Sequence, residues 1–149
     1  MQPRMKNPVF LIPDVLPALQ TAAKAARGSV APKLLHMVHL RASQINGCSF
    51  CTDMHARELR EAGESDQRLW SIAAWREAPW FTDVERAVLA LTEAVTRLDP
   101  ADPVPDRVWD EAARHFDEAQ LATIVLNIAM INLWTRINVT VRQPAGARG

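Results

Sequence analysis

The chemistry with the clearest outline in this chain lies in the stretch Cys48-Ser49-Phe50-Cys51-Thr52-Asp53-Met54-His55, which holds both cysteines of the protein. On a helix each residue turns about 100°, so Cys48, Cys51 and His55 fall within an arc of roughly 60° and share one face. A thiol reacts as its thiolate, and the unpaired N–H groups at a helix N-terminus favour an anion there. Asn46-Gly47 breaks the preceding helical pattern and so puts Cys48 at or near such an end. An imidazole one turn beyond Cys51 can accept its proton or stabilise the thiolate as imidazolium. A second thiol three residues away can attack the oxidised first one and close a disulfide. These are the parts needed for a thiol peroxidase or a dithiol–disulfide carrier.

Other uses of the same residues compete with this one. A pair this close closes almost no loop, so it adds little as a structural staple. Zinc is the main rival, with Cys48, Cys51 and His55 as ligands and His36 or His39 as a fourth. Closed structural zinc sites bring a second ligand pair at a set spacing, and the sequence offers none. Haem attachment needs a histidine directly after the second cysteine, where Thr52 stands. Two inert buried thiols are the remaining alternative. The reading taken is redox chemistry, with neither a metal nor another cofactor.

The elements that must hold this face read as helices throughout. Leu16, Leu19, Ala23 and Ala26 follow helical spacing until Gly28. Pro32 suits the first turn of a second helix whose apolar stripe is Leu34, Val38, Ala42 and Ile45. The third is expected from near Cys48 to about Gly63, and a short fourth from Ser65, its N-cap, to about Ala78. Thr82-Asp83-Val84-Glu85 is a capping-box pattern opening a fifth, striped by Val84, Val88, Leu91 and Val95. After a proline-rich loop over 99–105, a sixth covers 106–116, and Asp117-x-x-Gln120 opens a long seventh. The fold class is therefore all-α, a single domain of about seven helices over 1–149, with an arm at 1–13 and a flexible tail at 143–149. Only Ile137 to Val141, where β-branched residues cluster, hints at a strand.

Composition excludes several classes. Lys plus Arg number 17 and so do Asp plus Glu, so no basic surplus marks a nucleic-acid binder. The most apolar stretch, 121–134, is shorter than the roughly 20 residues of a membrane span and contains Asn127 and Asn132. It reads as a buried core helix. No targeting segment is expected, and the expected location is cytoplasmic.

The stretch Leu40-Arg41-Ala42-Ser43-Gln44-Ile45-Asn46-Gly47-Cys48-Ser49-Phe50-Cys51-Thr52-Asp53-Met54-His55 closely resembles the core motif of the alkyl hydroperoxidase D family, within the carboxymuconolactone decarboxylase-like superfamily. A later stretch, Ile131-Asn132-Leu133-Trp134-Thr135-Arg136-Ile137-Asn138-Val139, resembles a second segment of the same subgroup. The resemblance runs over about 34–142. It implies an AhpD-like helical fold, assembly as a homotrimer or homohexamer, and thiol-dependent reduction of a peroxide substrate with electrons from a dithiol donor of lipoyl or thioredoxin type. By position, Cys51 would attack the peroxide, Cys48 would resolve, and His55 would belong to a proton relay. The family's decarboxylases lack the cysteine pair. The family relay also includes a Glu twelve residues before the first cysteine, and here that residue is His36. If the relay is kept, His36 does the work of that acid. The alternative function is a non-enzymatic zinc-binding or redox-sensing helical module.

The remaining polar residues are assigned structural duties. His39 shares a face with His36 and either assists it or packs as a half-buried histidine. His115 sits near a helix C-terminus, where a cation is favoured. Arg57, Glu58, Arg60 and Glu61 read as a solvated helix face, and Glu85, Arg86 and Glu93 as surface ion pairs. Gln44 and Asn46 are expected to orient the loop before the cysteines, and the five tryptophans to fill core and subunit interfaces.

Overall fold

A computed structural model describes residues 2–146. Among the described residues there are seven α-helices: α1 Val15–Ala25, α2 Pro32–Ile45, α3 Ser49–Glu61, α4 Asp66–Ser71, α5 Asp83–Arg97, α6 Asp106–His115 and α7 Glu118–Val141. Two 3₁₀ turns, Pro8–Phe10 and Ile72–Ala74, complete the architecture, and no strand occurs among the described residues. The β-branched run at the end of α7 is helical, because its buried members Asn138 and Val141 continue the side of α7 that packs on the bundle.

The centre is α2, which packs against α3, α5 and α7. Its buried residues, among them Met37, Val38, Leu40 and Ala42, surround its axis, as a helix enclosed by neighbours requires. Val88, Leu89 and Leu91 from α5 and Ile124 and Ile128 from α7 close the same core. The end signals in the sequence act as their chemistry dictates. Thr82 and Glu85 form a reciprocal capping box on α5, and Asp117 and Gln120 form another on α7. The fourth helix is shorter than its sequence suggests: α4 stops at Ser71 and gives way to the 3₁₀ turn that buries Ile72 and leads to the buried Trp75.

α7 is longer than the apolar stretch that announces it, at 24 residues, which by length and composition is enough to cross a membrane. One side of it packs on the bundle, where Asn127, Asn132 and Asn138 are all buried and hydrogen-bonded, while Leu126, Leu133 and Val139 on it are exposed. Gly28, with φ near +51°, lets the chain pass against α7; a β-carbon there would collide with the Thr123 side chain. The residues before α1 lie across the end of α7. The Arg4 amide donates to the Val141 carbonyl at 2.9 Å and Asn7 Nδ2 to Asn138 Oδ1 at 2.8 Å. Of the tail, residues 147–149 lie outside the described residues.

One structural expectation needs correcting. Glu93 is no surface ion-pair residue: it is 2% exposed, and Arg41, Trp75, Arg76 and Arg97 all donate to its carboxylate. Burial pulls its pKa upward, but the donors from Arg76, Arg97, Trp75 and Arg41 outweigh it and hold the group at about 2. The tryptophans expected in the core and at subunit interfaces divide between inside and surface of the single chain. Trp75 is buried, whereas Trp70, Trp80 and Trp109 are exposed.

Candidate functional site

The turn between α2 and α3 sets the position of the cysteines. Gly47, with φ near +66°, ends α2; its amide donates to the Gln44 carbonyl at 3.2 Å and that of Cys48 to the Ser43 carbonyl at 3.0 Å. This paired pattern is a Schellman motif, which needs a left-handed residue at Gly47. Asn46 fastens the same corner to α7 by donating to Asn132 Oδ1 and Thr135 Oγ1, both at 2.8 Å. Cys48 thereby becomes the N-cap of α3, and its Sγ accepts from the Cys51 amide at 3.2 Å.

Cys48 and Cys51 are joined as a disulfide, with Cα atoms 5.4 Å apart. Both are almost fully buried, at 2% and 1% exposure. Asn138 Nδ2 donates to Cys51 Sγ at 3.3 Å. The Asn138 amide is oriented by Asn7, whose Nδ2 holds its oxygen, so the N–H end must point at sulfur.

Beside Cys51, a cavity of about 760 Å³ opens between α1, α2, α3 and α7. His36, His39, His55 and Glu58 line it, together with apolar walls that include Leu35, Phe50, Met54 and Trp134. His55 is buried, with Nδ1 at 2.7 Å from Glu58 Oε2. His36 Nδ1 lies 3.2 Å from that same oxygen, close by distance but not aligned as a hydrogen bond. The imidazoles of His36 and His55 hold the Glu58 carboxyl well below the usual carboxylate range, against the opposing effect of partial burial. An ionised carboxylate only accepts, so His55 carries a proton on Nδ1, and in the neutral ring Nε2 is the basic nitrogen. That Nε2 is buried and has no hydrogen-bond partner among the described residues.

His39 plays a different part. Its Nε2 is 3.1 Å from Asn127 Oδ1, and Asn127 Nδ2 is occupied by the carbonyls of Ala26 and Thr123. Asn127 therefore presents an acceptor, and His39 Nε2 donates. Burial first, then the neighbouring His55, pushes the His39 pKa down to about 3, so it stays neutral at ordinary pH. Its ring centroid lies 4.9 Å from that of His55.

The structure thus gathers Cys48, Cys51, His55 and His36 into one region. It also adds two residues that the sequence pattern assigns elsewhere or passes over. Glu58 is not simply part of a solvated face: half-exposed at 38%, it turns its Oε2 to both His55 and His36. Its spacing carries the signal, since positions 51, 55 and 58 share a helix face, but the charged run 57–61 masks it. Asn138 lies 87 positions from Cys51, and only its place in the second family-like segment points to it. His115 pairs with Glu111 on α6 and takes no part. As for metals, His36, His39 and His55 offer ligand atoms within 4.8 Å of one another.

The sequence profile described as the carboxymuconolactone decarboxylase family matches residues 13–94. The uncharacterized protein YdfG of Bacillus subtilis is 38% identical over 112 residues, covering 75% of this chain and 76% of YdfG. YnjA of Escherichia coli, also uncharacterized, is 32% identical over 80% of this chain and 64% of its own length. Among solved structures, a protein of unknown function from Agrobacterium tumefaciens, described as an antioxidant-defence protein AhpD, superposes with a TM-score of 0.89 at 32% identity. It covers 99% of this chain and 100% of its own. The debrominase Bmp8 shares the fold, with a TM-score of 0.78 at 19% identity over 91% of this chain and 73% of its own.

Proposed function

This chain belongs to the carboxymuconolactone decarboxylase family, in its AhpD-like branch, and from that premise we propose that it is a thiol-dependent oxidoreductase that reduces organic peroxides through Cys51 and Cys48. The observation that carries the reading is the row Glu58, His55, Cys51 along one wall of an apolar cavity, with the free Nε2 of His55 buried in that wall. A nucleophile beside a base that a third group orients is the general arrangement of activated nucleophiles. In the reduced protein, His55 Nε2 takes the Cys51 proton and Asn138 Nδ2 donates to the thiolate. The thiolate attacks the outer peroxide oxygen, the O–O bond breaks, and the alkoxide leaves as alcohol with the relayed proton. Cys51 is then a sulfenic acid. Cys48 gives up its thiol proton and its sulfur displaces the hydroxyl, which takes that proton and leaves as water, so the disulfide forms. A dithiol donor returns the pair to thiols.

The wall composition supports an organic hydroperoxide over hydrogen peroxide, because Leu35, Phe50, Met54 and Trp134 surround the polar row. The protein is proposed to work in the cytoplasm as a trimer or hexamer; Leu126, Leu133 and Val139 on α7 are exposed apolar residues suited to a subunit contact. The deciding assay is consumption of an organic hydroperoxide with a dithiol reductant, wild type against Cys51→Ser. Turnover that depends on Cys51 is expected; equal rates, or none with either protein, would sink the peroxidase reading.

A second reading rests on the three imidazoles. A zinc ion with nitrogen ligands at about 2.0–2.1 Å needs them roughly 3.3 Å apart, so the 4.8 Å cluster of His36, His39 and His55 would have to contract. His39 would keep its present tautomer, because Nε2 donates to Asn127 and the unpartnered Nδ1 is the nitrogen left to bind. Metal content of protein purified without chelators tests this: about one ion per chain, lost in His39→Ala, would favour the metal-binding module.

A further inference from the structure

The two sulfurs of the disulfide border different cavities. Cys51 lines the large histidine-bearing cavity and not the second one. Cys48 lines a separate cavity of about 460 Å³ and not the first. Asn138 is, among the described residues, the one common to both walls, so it partitions them while donating to Cys51 Sγ. The Cys48 cavity is built at the end of α7 and the start of α3. Its charged lining residues are Arg4 and Arg142, with no acid among the described residues that line it. Arg142 is exposed, and Arg4 Nη1 donates to the Thr140 carbonyl at 3.0 Å. The histidine-bearing cavity differs in holding both signs, with Arg27 and Glu58 in its lining.

We propose that the disulfide is reduced at Cys48, through this second cavity, by a slender dithiol that carries negative charge. The proposal rests on the redox reading of the cysteine pair. Two observations select the donor. With both cysteines almost fully buried, a thiol presented on a broad protein surface cannot reach sulfur, whereas a narrow arm or free small molecule fits the cavity. The two arginines, unopposed by acids in the lining, favour an anion.

The chemistry then has a direction. The donor thiolate attacks Cys48 Sγ, the Cys48–Cys51 bond breaks, and its electron pair leaves on Cys51 Sγ as thiolate. Asn138 Nδ2 is already placed to hydrogen-bond that leaving sulfur, which assists its departure. The donor's second thiol, as thiolate, attacks the donor sulfur of the mixed disulfide and expels Cys48 as thiolate. The donor ends as a cyclic disulfide, having given two electrons, and its two thiol protons neutralise the protein thiolates. Reduction thus regenerates the Cys51 thiolate directly beside His55, while the substrate cavity stays free of the donor.

Dihydrolipoate and dihydrolipoamide test the charge requirement, since they carry the same dithiol and differ only in carboxylate against amide. The rate of disulfide loss, followed by thiol counting without any peroxide, is compared for the two after calibration on an uncharged model disulfide. The expected ratio favours dihydrolipoate by roughly three- to tenfold at low salt and approaches one at high salt. Arg142→Gln should lower the ratio, and Arg142→Glu should bring it to one or below. A wild-type ratio of one, an unchanged ratio in Arg142→Glu, or a disulfide that neither dithiol reduces would overturn the proposal. A free acid and a charged arm tethered to a protein are then separated by whether the donor remains fast when attached to a carrier. The site of attack is read with 2-mercaptoethanesulfonate, trapping with N-ethylmaleimide and sequencing the cysteine peptide by tandem mass spectrometry. The thiol adduct should sit on Cys48 and the maleimide on Cys51; the reverse pattern refutes the assignment. Because no peroxide is present, a failure of peroxide turnover leaves these readouts intact and is recognised separately.

Discussion

Removing the Glu58 carboxylate is the sharpest perturbation of the site, because it acts on Cys51 only through His55. Glu58 Oε2 is 2.7 Å from His55 Nδ1, a charge-assisted hydrogen bond. Such bonds are worth about 1.5–3 kcal/mol, or roughly 10- to 150-fold in a rate at 1.4 kcal/mol per decade. Glu58 is 38% exposed, so solvent screening places the effect near the lower end, at about tenfold. The sign with pH follows from the depressed carboxyl pKa. A group whose folded pKa lies below its ordinary value keeps its contribution above the unfolded value and loses it only as pH falls through the folded one. Between pH 5 and 9 the carboxylate therefore stays charged, so titration of Glu58 itself adds no pH dependence to the penalty of Glu58→Gln. The assay is alkylation of reduced protein by iodoacetamide in a Cys48→Ser background, where the substituted hydroxyl still caps α3 and only Cys51 reacts. Glu58→Gln should slow Cys51 about tenfold and Glu58→Ala at least as much, with His55→Ala slower than either. Equal rates with and without Glu58→Ala, alongside a slow His55→Ala, would show that the carboxylate does not orient the base.

Three further outcomes are expected. His36→Glu should slow Cys51 alkylation, because it sets a second carboxylate against Glu58 where His36 Nδ1 now lies 3.2 Å away; His36→Glu with Glu58→Gln should recover most of the loss, and a double variant slower than both singles would contradict this. Glu93→Gln should destabilise the fold by about 3 kcal/mol in urea titration, since it strands the mostly buried Arg41 guanidinium; and because the folded pKa of Glu93 is depressed to about 2, the difference between the two proteins should be full at neutral pH and shrink as pH falls from roughly 5 toward 2. Light scattering should give three or six times the 16.6 kDa chain mass, and Leu133→Glu should lower it; a monomer at micromolar concentration would refute the assembly.

Local signals are legible in the sequence because local physics enforces them. The Thr82 and Asp117 caps, the Asn46-Gly47 break and the shared face of Cys48, Cys51 and His55 all depend on residues within one or two turns. What the sequence hides depends on crossing helices. Glu93 looks like a surface residue because Arg97 lies one turn away, and its buried state appears only when α2 brings Arg41 and the turn after α4 brings Trp75 and Arg76. His36 and Glu58 are 22 positions apart, yet the tight corner at Gly47 folds α3 back along α2 and sets them side by side. The full length of α7 is masked because Thr135, Asn138 and Thr140 interrupt its apolar pattern, while two of them, Thr135 and Asn138, are buried and hydrogen-bonded rather than exposed.

The position twelve residues before Cys48 holds an imidazole where the family relay has an acid, and the sequence alone makes this look like a gap. In the relay proposed here the acid comes from the next helix. Glu58 extends from α3 to His55, and His36 meets it from α2. A relay needs one group that accepts without being protonated itself, and it does not matter which helix supplies it. Two carboxylates at that spacing would share a proton and raise one pKa, so an acid at 58 disfavours an acid at 36, and an imidazole is the partner that keeps Glu58 ionised. On this argument His36 and Glu58 form one unit: the histidine at 36 is the counterpart of the carboxylate at 58, and neither substitution can be judged without the other.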